Sequence, residues 1–178
     1  VEFCKKIKKF NLRITLPNSI RADAPKNLER RLDMFKHMAD AGFEKLGISA
    51  EHGDQEFLDK VIGKRLDLNE IVRSIDLAHK AGIMVHTNFM MGFPFETKEN
   101  RDKTIKFAKS LKSDSFSVSL VAPLPGTKLY DIVKKHNLFI ENNIKNLLSN
   151  DLIIDIGAGS LIHTNYFSKH PKYYLFNW

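Results

Sequence analysis

The chain is 178 residues long, 43% hydrophobic and 28% charged, with a formal net charge of +7 and a single cysteine. That length builds a real core, burying about 70% of the extended surface, but falls short of the roughly 250 residues of a complete eightfold β/α barrel. One cysteine excludes an intrachain disulfide and a metal cluster held by this chain's thiolates alone. No apolar run approaches the roughly 20 residues that cross a bilayer, so a soluble cytoplasmic protein with no membrane attachment is expected.

The opening ten residues read as the second half of an amphipathic helix. The sequence is therefore expected to be a piece of a longer protein, lacking an N-terminal part. Lys5, Lys6, Lys8 and Lys9 concentrate positive charge there. Such a run can meet RNA or an anionic ligand, but a solvated helix face explains it more simply and it carries no functional weight. Cys4 is expected to be a small buried residue rather than a nucleophile.

Four segments then alternate apolar and polar residues. Leu12, Ile14 and Leu16 alternate with Arg13 and Thr15; Leu46, Ile48 and Ala50 with Gly47, Ser49 and Glu51; Val85, Thr87, Phe89 and Met91 with His86, Asn88 and Met90; Phe116, Val118 and Leu120 with Ser115, Ser117 and Ser119. Helical spacing links them in Leu28, Leu32, Phe35 and Ala39, in Leu68, Ile71, Ile75 and Ala78, and in Ile105, Ala108 and Leu111. Ala41-Gly42 and Ala81-Gly82 each place a glycine where a helix stops and a strand follows.

Strands joined through helices are parallel, and parallel strands normally read as unbroken apolar runs because helices cover both faces. Alternation therefore predicts one face on helices and one polar face looking into a lumen that admits water and a ligand. Thr15, Ser49, Asn88 and Ser117 are expected to converge there. The expected fold is α/β: a partial TIM-type (β/α) barrel of about four parallel strands with outer helices over residues 1–140. A short, truncated C-terminal extension over 141–178 follows, with a strand-like Leu152 to Ile156.

Ligands of parallel β/α folds sit at the C-terminal ends of the strands. That rule selects Asn18, Arg21 and Asp23 after the first strand, Glu51 and Gly53 after the second, Gly92 to Thr97 after the third and Ala122 to Thr127 after the fourth. Glu51 shares parity with Gly47 and Ser49, which brings its carboxylate to the lumen rim; an acid interacting with a helix dipole is the equal alternative. Asn88 suits a polar ligand by paired donor and acceptor. His86 reads as a satisfied core histidine, since no second ligand stands at metal spacing. Ile153 to Ser160 carries a glycine-rich loop of methyltransferase type, but too little chain follows to complete such a site, and a strand with a flexible turn is the simpler reading.

Three segments in order carry a family resemblance: Gly47-Ile48-Ser49-Ala50-Glu51-His52-Gly53 with Leu58, Ile62 and Lys64; Ala81-Gly82-Ile83 through Gly92-Phe93-Pro94-Phe95-Glu96-Thr97; and Pro123-Leu124-Pro125-Gly126-Thr127-Lys128-Leu129-Tyr130. From Asn11 to Phe139 the chain resembles the radical SAM enzymes, in the branch that includes cobalamin-associated and Elp3-like members. The resemblance implies an incomplete β/α barrel around S-adenosylmethionine and a 4Fe-4S cluster, with cobalamin as a candidate second cofactor. Reductive cleavage of the sulfonium then gives a 5′-deoxyadenosyl radical that attacks a small-molecule or cofactor-like substrate. It further implies that Glu51 meets the cofactor's amino group, Lys64 its carboxylate and Asn88 its ribose hydroxyls. Arg21 is a weaker candidate for a cofactor or substrate contact, and Ala122 and Pro123 would lie beside the adenine.

Two departures accompany it. The family's CxxxCxxC loop is absent, and Phe95 stands where a glycine is usual. The expected role is thus the C-terminal portion of a radical SAM core whose cluster ligands lie outside this chain, inactive by itself. The rivals are a non-catalytic nucleoside- or RNA-binding β/α module and a metal-independent β/α enzyme using Glu51 as base.

Overall fold

Four strands and six helices alternate along the described part of the chain. A computed structural model describes residues 1–138; the extension, the strand expected at Leu152 to Ile156 and the boundary at residue 140 lie outside them. The strands are β1 (Ile14–Ile20), β2 (Phe43–Glu51), β3 (Met84–Met91) and β4 (Ser115–Leu120). The helices are α1 (Glu2–Ile7), α2 (Leu28–Asp40), α3 (Gln55–Phe57), α4 (Leu68–Lys80), α5 (Lys98–Ser110) and α6 (Lys128–Lys135). The strands form one sheet in the order β1-β2-β3-β4, and both β1/β2 and β2/β3 pair in parallel. The expected α/β architecture is present.

Helix boundaries follow from side chains that satisfy the unpaired amides of a first turn. Asn27 caps α2, Asp67 caps α4 and Thr127 caps α6, each accepting from a backbone N–H of its helix. Thr97 and Asn100 close a reciprocal capping box on α5. At the other end, Gly42 and Gly82 adopt φ of 95° and 81° and turn α2 and α4 into β2 and β3, as their positions predicted.

The core lies on one face of the sheet. Leu46, Ile48 and Ala50 of β2 and Val85 and Phe89 of β3 are buried with Phe35 and Met38 of α2 and Ile71, Ile75 and Ala78 of α4. These are the residues that the period-2 and period-3.6 patterns set apart. Cys4 is buried in the same cluster, and the lysines beside it are exposed.

Two strands depart from the simple alternation. Between Leu16 and Ile20 β1 advances four residues while its partner β2 advances only from Leu46 to Ile48. Such a bulge follows from Pro17, which cannot donate to a ladder. The two extra residues leave the parity unchanged and bring Ser19 up against Gly47 of β2. At the other end of the sheet, Phe116 packs edge-on to Phe89 with ring centroids 6.4 Å apart, yet Val118 and Leu120 remain 40% and 41% exposed. β4 is an end strand, with one neighbouring strand instead of two among the described residues.

By compactness the described residues divide into one unit of Val1–Met90 with Thr97–Ser117 and a second of Met91–Glu96 with Val118 to Leu138.

Candidate functional site

β2 ends on Glu51, whose backbone enters the left-handed region at φ 65°. A side-chain-bearing residue rarely adopts that conformation, and such strain concentrates at functional positions. The Glu51 carboxylate accepts from Lys64 Nζ at 2.8 Å, and the same ammonium donates to the Ser49 carbonyl at 2.7 Å. Both side chains are mostly buried, at 20% and 14% exposure. Short charge-assisted bonds of this kind, in reduced dielectric, hold geometry firmly.

Lys64 arrives there through a tight connection. Asp54 caps α3, and a π-helical turn over Leu58–Ile62 follows before Gly63 reverses the chain at φ 74°. Leu66 is fully buried beyond it. Gln55 clamps the exit: its Nε2 donates to the Leu66 carbonyl at 3.0 Å and its Oε1 accepts the Leu68 amide at 2.9 Å. Asp54 also accepts from Asn100 at 3.0 Å and from Lys103 at 2.9 Å, tying α3 to the first turns of α5. Burial opposes ionisation of Asp54, but these bonds and the Phe57 amide outweigh it and hold its pKa at about 2.

Arg21 lies on the same loop from the opposite side. Its guanidinium grips Asp23 at 2.5 and 3.2 Å and donates to the carbonyls of Lys64 and Arg65 at 3.0 Å each. Four of its five N–H donors are thereby committed inside the protein. Arg21, the weaker candidate for a cofactor or substrate contact, is bound to the backbone that carries Lys64.

Asn88 stands one strand over from Ser49, its β-ladder partner. Its Nδ2 donates to Ser19 Oγ, and its Oδ1 accepts from Ser117 Oγ at 2.7 Å. His86, two residues earlier, lies 2.8 Å from Ser115 Oγ and 3.1 Å from Ser117 Oγ. Burial and then Lys45 push the imidazole below its ordinary value, against a hydrogen-bonding interaction with Asn88 that raises it. Both ring nitrogens have hydroxyl partners, as expected of a satisfied histidine. The polar face of the sheet is therefore a connected ladder of hydroxyl, amide and imidazole groups. Ser19 escaped the sequence reading because the alternating segment was followed only to Leu16, although Ser19 keeps the parity of Thr15.

In the second unit, Ala122 is exposed and Pro123 half-buried. They follow Val121, whose amide donates to the Met91 carbonyl at 2.9 Å. The Gly92 amide donates to Glu96 at 2.6 Å, closing the turn after β3. Phe95 occupies that turn at φ 65°, 63% exposed, with its ring edge-on to His136.

The family profile of the radical SAM superfamily matches residues 2–108. The chain belongs to the radical SAM superfamily. The protein named uncharacterized methyltransferase PH0819, from Pyrococcus horikoshii, is 29% identical over 121 residues, which cover 68% of this chain and 26% of that protein. Among solved structures, coproporphyrinogen III oxidase HemN from Escherichia coli, described as a radical SAM enzyme, superposes with a TM-score of 0.57 at 21% identity, over 70% of this chain and 28% of HemN. The radical S-adenosylmethionine methyltransferase TsrM from Kitasatospora setae, solved with cobalamin and a 4Fe-4S cluster, gives a TM-score of 0.55 at 18% identity, over 67% and 22%. This radical SAM chain thus spans about a quarter of the length of these relatives. Its sheet and helices form part of the superfamily's (β/α) barrel fold.

The superfamily uses S-adenosylmethionine and a 4Fe-4S cluster, and the two fare differently against these residues. The cluster does not fit this chain. The sequence holds one cysteine, buried at Cys4, and no group of three or more His, Cys, Asp or Glu is placed to hold a metal among the described residues. The amino-acid end of S-adenosylmethionine does fit. Glu51 Oε1 takes Lys64, leaving Oε2 without a partner among the described residues, and Lys64 has used two of its three donors. A zwitterion can therefore bind both charges without separating the pair. No helix among the described residues is long and apolar enough to cross a membrane.

Proposed function

We propose that this chain supplies part of the S-adenosylmethionine-binding wall of a radical SAM enzyme, whose cluster ligands come from elsewhere in the intact protein. The observation that carries the reading is the Glu51–Lys64 pair at the C-terminal end of β2, where β/α folds bind their ligands. Glu51 would accept the methionyl ammonium on Oε2. Lys64 would give its third N–H to the methionyl carboxylate while keeping Ser49. Asn88, oriented by Ser19 and Ser117, would offer its second N–H to the ribose hydroxyls. When bound, S-adenosylmethionine supplies the sulfonium whose carbon–sulfur bond this superfamily breaks.

These residues bind and orient; none of them needs to carry a proton. The substrate is proposed to be a small molecule. Cobalamin is a candidate in the intact protein because TsrM carries it together with a 4Fe-4S cluster. The test is 5′-deoxyadenosine formation by the intact protein under reducing conditions. Glu51→Ala and Asn88→Ala are expected to lower it steeply, and unchanged rates in both would refute the assignment.

A further inference from the structure

Lys64 sits on a tight turn whose exit Gln55 holds at Leu66 and Leu68. Gly63 and Arg65 both adopt left-handed conformations, at φ 74° and 49°, so the peptide on either side of Lys64 must be held against alternatives. Its amide reaches the Leu58 carbonyl at 3.2 Å. Its carbonyl, and that of Arg65, are taken by one group, the Arg21 guanidinium, at 3.0 Å each. A planar fork donating to two successive carbonyls fixes both the position and the tilt of the intervening peptide, which a single point charge does not.

Arg21 is in turn anchored. Asp23 orients the guanidinium, and the next residue's carbonyl, Ala22, accepts from the buried Ser74 of α4 at 2.5 Å. Arg31 of α2, fully buried, donates to the Pro25 carbonyl at 2.8 Å and to Glu70 at 2.8 Å, binding the same loop to α2 and α4. An unbroken series of contacts runs from the buried helices through Arg21 to the backbone of Lys64 and on to Glu51.

We infer that Arg21 is a positioning residue that sets the affinity for the cofactor's carboxylate through Lys64 without touching the cofactor. The inference rests on the assignment of Lys64 to that carboxylate. A displacement of an ångström or less at Nζ is enough to loosen a charge-assisted contact, and supporting residues of this kind decide whether a site is tight.

The experiment is equilibrium binding of S-adenosylmethionine to the intact, cluster-loaded protein as wild type, R21A, K64A and R21A/K64A, with the thermal midpoint of each variant. R21A alone is expected to weaken binding about tenfold. On the K64A background the same change is expected to cost less than about twofold, because the group it positions is gone. Loss of equal size on both backgrounds, or no loss in R21A, overturns the inference and leaves the role of Lys64 standing. K64A without effect on affinity overturns that role and the inference with it. Should R21A fail to fold, D23A removes only the carboxylate that orients the guanidinium; it is expected to weaken binding in the same Lys64-dependent manner, and unchanged affinity in D23A overturns the proposal.

Discussion

Ser19 and Asn88 hydrogen-bond to each other although β2 lies between their strands. The contact passes over Gly47, where a β-carbon would stand 2.7 Å from Ser19 Oγ, 3.2 Å from Ser19 Cα and 3.3 Å from the Pro17 carbonyl. Gly47→Ala is therefore expected to push the Ser19 hydroxyl off Asn88 and to cost about 1–3 kcal/mol. In a Ser19→Ala background part of that cost should vanish, since the displaced group is absent. Denaturant unfolding of the four-member cycle checks it, and strictly additive values would speak against the crossing.

Gly42 and Gly82 end equivalent helices with similar backbone angles, yet their surroundings differ. A β-carbon on Gly42 would lie 1.8 Å from the Leu12 carbonyl oxygen, whereas one on Gly82 meets nothing within 4 Å. Gly82→Ala should cost only the left-handed penalty, about 1 kcal/mol. Gly42→Ala should cost about 3 kcal/mol or more, because backbone must move. Comparable unfolding midpoints for the two variants would contradict the assigned contact.

Asp54 gives the fold an acid-sensitive joint. Its folded pKa, about 2, lies below its ordinary 3.8, so its ionised form stabilises the fold fully above pH 3.8. That contribution is lost as the pH falls from 3.8 through about 2. Thermal midpoints of wild type and Asp54→Asn across this window should therefore converge toward low pH. A constant separation between the two curves would show that the carboxylate is not held by Lys103 and Asn100.

Phe95 adopts a backbone conformation that glycine takes without strain, and most of its ring is exposed. Phe95→Gly is expected to stabilise the turn by up to about 1 kcal/mol, the left-handed penalty relieved less the contact with His136. Clear destabilisation in a denaturant titration would mean that the ring contact outweighs the strain.

The sequence disclosed those parts of the fold that repeat. Apolar residues at period 2 and period 3.6 marked β2, β3, α2 and α4, and Gly42 and Gly82 marked where helix gives way to strand. Glu51, Lys64 and Asn88 were reachable only by position at strand ends and by family likeness, and the contact between Glu51 and Lys64 was not foreseen. What stayed hidden depends on events that leave no period. The two extra residues at Pro17 set Ser19 against Gly47. The two left-handed residues around Lys64 frame the carbonyls that Arg21 holds. The exposed residues of β4 go with its place at the end of the sheet among the described residues, which alternation along one strand does not encode.

The pairing of Glu51 with a bound ammonium is tested most directly by Glu51→Gln, which keeps the shape and removes the charge. Equilibrium binding of S-adenosylmethionine to the intact protein is expected to weaken at least about tenfold, the size of one lost charge-assisted contact. Undiminished affinity in that variant, with the fold intact, would contradict the account.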